Sequence, residues 1–387
     1  MKHPLPALSA GLGAACLFVA MPVLSATPPD ADQPVSVQNN DTKASASAYW
    51  TPERFKAAKP LPMPAVRADA IREEALRAAP TGHVQSSEGK PPSTNGKVAP
   101  EKLYTPEQAA PHKSAMSDVE PDASGTFNTP FTSTRVFPLF AGASAGYSAD
   151  RAYPYITVGK LFFTIGGSPY VCSASVIQRR VVVTAGHCVH SGTAAGFHSN
   201  WVFVPAFRDG TAPLKQWNWR YAIVTGTWAS GGGGVPNAAD YAMIEFGDQS
   251  MYAGGPLTKL GNVTGWLGWQ TLSLNNNHTS KLGYPCNLDS CQRMQNVTST
   301  SYRTTAPNNV EYGSDARGGS SGGPWVQNFA QLATGGGTGN NTGQNRVVAV
   351  TSYGYVSEAP KVQGASIPDD RWVQIWNSIC ARAGNCN

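Results

Sequence analysis

From Tyr153 to its end the chain is a succession of short apolar runs, rich in Val, Phe, Tyr and Trp and bounded by Gly, Asn, Asp and Pro. Runs of this kind are strands joined by turns. β-Branched and aromatic side chains suit a pleated, half-buried surface, and the bounding residues supply turn geometry. The pattern predicts strands over Lys160–Ile165, Val171–Ile177, Val181–Ala185, Trp201–Val204, Trp219–Thr225, Tyr241–Phe246, Val263–Leu267, Thr279–Tyr284, Pro324–Val326 and Arg346–Ser352. Strands spaced so closely describe an all-β sandwich or barrel. The 40 Gly and 30 Pro agree, because they suit many turns and few helices. Ser230–Gly234 and Gly335–Gly343 read as surface loops. The one helical pattern is at Arg371–Cys380, where Trp372, Ile375, Trp376 and Ile379 share one face of a short terminal helix.

The region before Tyr153 is different. Lys2 and His3 precede an apolar stretch from Ala10 to Leu24, followed by the small residues Ser25 and Ala26. This predicts an export signal over residues 1–26, too short and too interrupted by Gly13 and Pro22 for an anchor. Residues 27–130 are rich in Pro, Ala, Ser, Lys and Glu, with one short helix expected over Pro64–Ala79. Such a composition buries little apolar surface. It reads as a partly disordered propeptide ahead of a domain at 131–387, with Arg135-Val136 as a candidate processing site. Export places the chain outside the cell or in a periplasm. Of the seven cysteines, Cys16 leaves with the signal. Six remain, an even number that suits disulfides. Proximity favours Cys172–Cys188, Cys286–Cys291 and Cys380–Cys386. No C-x-x-C pair argues for a metal, and no cofactor is expected. A net charge of +5 without a Lys/Arg run gives nucleic acid no electrostatic footprint. The expected partner is a protein or peptide, with no membrane contact after signal removal, and the expected state is a monomer.

Three segments carry the residue types that amide hydrolysis needs: a nucleophile, a base and donors for an oxyanion. Thr184-Ala185-Gly186-His187-Cys188 follows the apolar run Val181–Val183 and presents an imidazole at a strand end. Cys188 can tie that loop back to Cys172. Asp240 opens the apolar run Tyr241–Phe246, where a buried carboxylate can accept the imidazole N–H and hold the productive tautomer. Its rivals Asp209 and Asp248 sit in polar turns. Gly318-Gly319-Ser320-Ser321-Gly322-Gly323-Pro324 surrounds a serine with glycines, so that backbone N–H groups converge on one spot. The candidates are Ser321 as nucleophile, His187 as base, Asp240 as orienting acid, and the amides of Gly319 and Ser321 as oxyanion hole. Gly319–Gly323 also fits G-x-S-x-G. The α/β-hydrolase elbow, however, requires the order Ser, Asp, His and alternating helices.

TAGHC, DYAMIEF and GGSSGGP, in that order, resemble the chymotrypsin/trypsin-like serine protease superfamily over Tyr153 to Asn387. The resemblance implies two six-stranded antiparallel barrels with the triad in the cleft between them, and a serine endopeptidase activity. The alternative is a catalytically silent binding or adhesion protein on the same fold. Ser320 stands where digestive members carry the Asp that pairs with a new N-terminus. The pattern is closer to the bacterial V8-like, glutamyl endopeptidase-like subgroup, as are Leu282-Gly283-Tyr284-Pro285 and the long leader. Glutamate-specific members place a His before the serine that opens the substrate strand; here Thr351 precedes Ser352. Asp315, six residues before Ser321, has the offset of the acid that pairs with substrate Arg or Lys in the trypsin branch, although Arg317 could neutralise it. The backbone of Ser352 and Gly354 would pair with substrate.

Overall fold

The computed structural model describes residues 1, 32–40, 49–66, 80, 82–94, 97–105, 129–136, 148–330, 341–355 and 361–387. The expected export signal and Cys16 lie outside them. So does the greater part of the helix expected over Pro64–Ala79, whose first residues Ala65–Val66 are instead a strand.

Six strands form the first half of the body: β1 (Val158–Ile165), β2 (Ser168–Val176), β3 (Val181–Thr184), β4 (Ser199–Pro205), β5 (Trp217–Val224) and β6 (Ala242–Phe246). They pair antiparallel in the order β5-β4-β1-β2-β3-β6, and β5 pairs β6 to close a barrel. The β1–β2 hairpin turns on Gly166 and Gly167, both at positive φ, as a two-residue turn matched to strand twist requires. Val181, Val182 and Val183 are all fully buried, so both faces of β3 are covered: alternate side chains face the barrel interior and the others are packed over from outside.

The second half contains β7 (His278–Gly283), β8 (Gln295–Thr305), β9 (Asn309–Gly313), β10 (Pro324–Gln327), β11 (Arg346–Val350) and β12 (Val362–Ser366). Their order is β12-β9-β8-β7-β10-β11, again antiparallel. Tyr353–Tyr355 pairs on the outside of β12. Among the described residues no ladder joins β11 to β12, but Ser352 N donates to Gly364 O (3.0 Å), which brings their ends together. The all-β fold expected from the sequence is present, and so is the terminal helix α1 (Asp370–Cys380). Asp369 caps α1, accepting from Arg371 N, and Trp372, Ile375 and Ile379 are buried beneath it.

One expected strand is corrected. Leu260–Thr264 is a helix, so Val263–Leu267 is not a strand; Gly265, at φ +70°, ends the helix. A run that short does not separate one helical turn from a strand. The leader, although mostly irregular, also buries more than its composition suggests. Trp50 and Phe55 are almost fully buried, stacked at 4.9 Å, and Phe55 packs edge-on against Phe162 of β1. Val35–Gln38 pairs with β5 and Phe131–Arg135 with β8. Arg135-Val136 is thus folded into a sheet: the Arg135 guanidinium grips Asp289, and Val136 N donates to Met294 O. Among the described residues no helix is long and apolar enough to cross a membrane.

Candidate active site

His187 lies in the single turn Gly186–Cys188 that follows β3. The Cys172–Cys188 disulfide ties that turn to β2. Cys172, His187 and Cys188 lie together, but both sulfurs are used in the disulfide and offer no thiolate to a metal. Cys286 is joined to Cys291 and Cys380 to Cys386. Gly186 has no space for a side chain: a Cβ there would lie 2.9 Å from Asp240 Oδ1 and 2.8 Å from Trp228 Cγ.

Asp240, just ahead of β6, is fully buried. Its Oδ1 accepts from His187 N (2.8 Å). Its Oδ2 faces His187 Nδ1 (2.8 Å) and accepts from Ser352 Oγ (2.6 Å). A carboxylate only accepts, so the neutral ring carries its proton on Nδ1 and leaves Nε2 as a lone pair. The hydroxyl of Ser352 therefore orients the acid, a role the sequence does not signal. The rivals are engaged elsewhere, Asp209 with Arg293 and Asp248 with Arg180.

Two consecutive turns hold Ser321. Ser320 N donates to Arg317 O (3.1 Å) across a turn with Gly319 at φ +93°. Gly323 N donates to Ser320 O (2.9 Å) across one with Gly322 at φ +76°. Both positions are left-handed, where glycine is favoured. A Cβ on Gly322 would lie 2.7 Å from Ala185 N, so this loop docks directly on the residues that lead into His187. Among the described residues neither the Gly319 nor the Ser321 amide has an acceptor. Ser321 Oγ and His187 Nε2 are both buried without a hydrogen-bond partner.

Ser173 of β2 fastens the loop from below. Its N–H donates to Ser321 O (2.7 Å), its hydroxyl donates to Gly319 O (2.8 Å), and it accepts from Tyr284 N (2.8 Å). Its position beside Cys172 is the only hint the sequence gives. Ser320 is pinned inward, donating to Arg317 O (2.7 Å) and accepting from Gln363 Nε2 (2.9 Å). Gln363 also donates to Ala316 O, and nothing in the sequence singles it out.

Asp315 accepts from Ser133 of the strand Phe131–Arg135, and its carbonyl accepts from Asn287 Nδ2 (2.8 Å). Lys281 is buried near it. Desolvation drives the Lys281 ammonium well below the usual lysine range, against the pull of Asp315. The Arg317 guanidinium donates to the carbonyls of Ala316 and Ser314. Gly354 N donates to Pro64 O (3.0 Å).

His198 Nε2 donates to His187 O (3.0 Å), and its ring stacks on Phe163. Burial is the main cause that lowers His198 from 6.5 to about 4, and the charges of His187 and His190 add to it. Between those values the unfolded chain binds the proton and the folded chain does not. Stability is therefore complete above about pH 6.5 and falls as the pH drops toward 4. The ring is partly exposed, so we expect a loss of about 1–2 kcal/mol over that window. Urea unfolding at the two ends of it should show this loss in the parent and a smaller one in His198→Phe, which keeps the stack.

Among known proteins, a glutamyl endopeptidase of Bacillus licheniformis is 28% identical over 179 residues, 45% of this chain and 49% of that protein. The chain thus spans about half the length of the curated relative it matches. No family model matches the sequence. The crystal structure of the protease Anisep from Arthrobacter nicotinovorans is 27% identical with a TM-score of 0.48, covering 58% of this chain and 96% of that one. The thermostable serine protease AL20 from an extremophilic microorganism is 25% identical with a TM-score of 0.49, covering 59% and 98%. The resemblance carried by TAGHC, DYAMIEF and GGSSGGP, to serine proteases of the V8-like pattern, is borne out by the glutamyl endopeptidase over the half of that protein that this chain spans.

Proposed function

We propose that the chain is an exported serine endopeptidase that uses Ser321, His187 and Asp240 as a triad. The observation that carries this reading is the pair of buried, unpartnered atoms, Ser321 Oγ and His187 Nε2, beside two open amides. A hydroxyl and an imidazole nitrogen buried without partners cost free energy, and here the imidazole is also held through its other nitrogen by the buried Asp240 carboxylate. Ser321 Oγ attacks the scissile carbonyl carbon while His187 Nε2 takes its proton. Asp240 stabilises the imidazolium. The amides of Gly319 and Ser321 receive the charge that develops on the carbonyl oxygen. His187 then protonates the leaving amine, and water repeats the sequence on the acyl-enzyme. The buried Ser320, hydrogen-bonded to Gln363, leaves no acid to receive a new N-terminus, so activation by that ion pair is not part of the proposal.

The offset of Asp315 favours Arg or Lys at the cleavage site, whereas the relative in Bacillus licheniformis is named for glutamyl substrates. The hydrogen bond from Ser133 and the nearness of Lys281 engage Asp315 away from the loop. A fluorophosphonate probe should modify the folded protein at one residue, with the adduct mapped to Ser321 by mass spectrometry of its peptides. Absence of any adduct, in a chain whose leader has been displaced, would favour the catalytically silent binding protein.

A further inference from the structure

The leader crosses the candidate cleft as an extended strap. Lys59–Pro60 pairs in parallel with Tyr170–Val171 of β2, and Leu61 N donates to Val171 O (3.0 Å). Further on, Ala65–Val66 pairs in parallel with Gly354–Tyr355, and Gly354 N donates to Pro64 O (3.0 Å). The two arms sit on opposite sides of the Ser321 loop, one on the barrel that carries His187 and the other on the strand expected to bind substrate. Between them, a Cβ on Gly318 would lie 3.3 Å from Leu61 O. A Cβ on Gly354 would lie 2.9 Å from Met63 Sδ, and Gln363 Nε2 approaches that sulfur at 3.9 Å. Met63 therefore lies against Gly354 and Gln363, on the hydrogen-bonded network that also holds Ser320 and whose Ala316 carbonyl accepts from Arg317 as well.

Two features make the strap an occupant and not a substrate. No leader carbonyl reaches the oxyanion donors, since among the described residues the Gly319 and Ser321 amides have no acceptor. Its sequence, Lys59-Pro60-Leu61-Pro62-Met63-Pro64, also puts proline at every second position. Each proline fixes φ and extends the residue before it, so the strap is ordered at low entropic cost. The bond that follows Met63 ends on a tertiary nitrogen whose ring crowds the approach of a nucleophile.

We propose that Lys59–Val66 is a built-in inhibitor of the cleft, with Met63 covering the wall formed by Gly354 and Gln363. This rests on the serine peptidase reading and adds to it what blocks the site in the full chain. Ala58 and Val66 are buried at its two ends, whereas the stretch between them is held by a few backbone hydrogen bonds and one thioether, so single substitutions suffice to lift that stretch off the cleft. Met63→Asp replaces the thioether that covers Gly354 and Gln363 with a shorter carboxylate that must give up water to stay there. Leu61→Pro deletes the donor to Val171.

The test is the labelling rate of the full chain with a small fluorophosphonate, with the thermal midpoint measured in parallel. Parent protein should label slowly, and both variants at least about tenfold faster at an unchanged midpoint. A synthetic peptide of residues 59–66, blocked at both ends, should slow the labelling of Met63→Asp and be recovered uncut. Labelling of both variants at the parent rate overturns the strap while leaving the peptidase reading intact. No labelling of parent or variants, even with the strap substituted, defeats the peptidase reading and the strap with it.

Discussion

Ser321→Ala is expected to lower peptide-bond turnover by about 10⁶-fold, some 8 kcal/mol of transition-state stabilisation, without weakening the fold. The size follows from the nucleophile being one member of a unit: without it, the base and the oxyanion donors have no acyl-enzyme to build. The stability half of the result follows from the same atom. Ser321 Oγ is buried and makes no hydrogen bond. Alanine therefore removes an unsatisfied hydroxyl, and the melting temperature should hold or rise slightly. The loop loses nothing else, because none of the contacts that fix it uses the Ser321 side chain: Ser321 O accepts from Ser173 N, Gly322 N donates to Thr351 O, and Gly319 O accepts from the Ser173 hydroxyl. The measurement is hydrolysis of a dye-quenched denatured protein by the Met63→Asp chain, with and without Ser321→Ala, beside thermal unfolding of both. Activity that survives the substitution would assign the chemistry to another residue.

That Ser321, His187 and Asp240 can be picked from the sequence has a physical reason. Each lies next to an end of a strand; His187 and Ser321 are also preceded or followed by glycines that the packing demands, as the clash at a Gly186 Cβ illustrates, and Asp240 opens a buried apolar run. Such constraints leave local marks. The barrel of β1 to β6 is legible for a similar reason, since a strand covered on both faces needs an unbroken apolar run such as Val181–Val183. β8 is not. Its sequence, Gln-Asn-Val-Thr-Ser-Thr-Ser-Tyr-Arg-Thr-Thr, has no apolar run, and it is a strand because β7, β9 and the Phe131–Arg135 strand supply partners for its backbone. Ser173, Gln363 and the hydroxyl of Ser352 are equally silent, because a single serine or glutamine gains its role only from what the fold sets across from it. The leader misleads most. Trp50, Phe55 and Met63 are isolated apolar residues in a polar stretch, and each is held by surfaces more than a hundred residues distant, Phe162, Asn200 and Gly354 among them.

Asp240→Asn should lower turnover by about 10⁴-fold, about 5 kcal/mol, and unlike Ser321→Ala it should also cost stability. Asp240 takes three donors at once: His187 N, His187 Nδ1 and Ser352 Oγ. Asparagine offers one accepting oxygen and an NH₂ that can only donate. If the oxygen keeps His187 N, the NH₂ meets Nδ1, the ring proton moves to Nε2, and the base is lost. The Ser352 hydroxyl can then only accept from the NH₂, and its own proton loses the carboxylate that received it. We expect about 2 kcal/mol of destabilisation from these lost bonds in a fully buried pocket. The two effects separate by pH. Raising the pH removes protons from solution but does not restore a lone pair at Nε2 while the NH₂ occupies Nδ1, so the activity of Asp240→Asn should stay depressed across the neutral range. The fluorophosphonate labelling rate, measured from pH 6 to 9 alongside urea unfolding, reads both quantities. A variant that recovered the parent rate would show that Asp240 holds the loop in place and does not set the tautomer of His187.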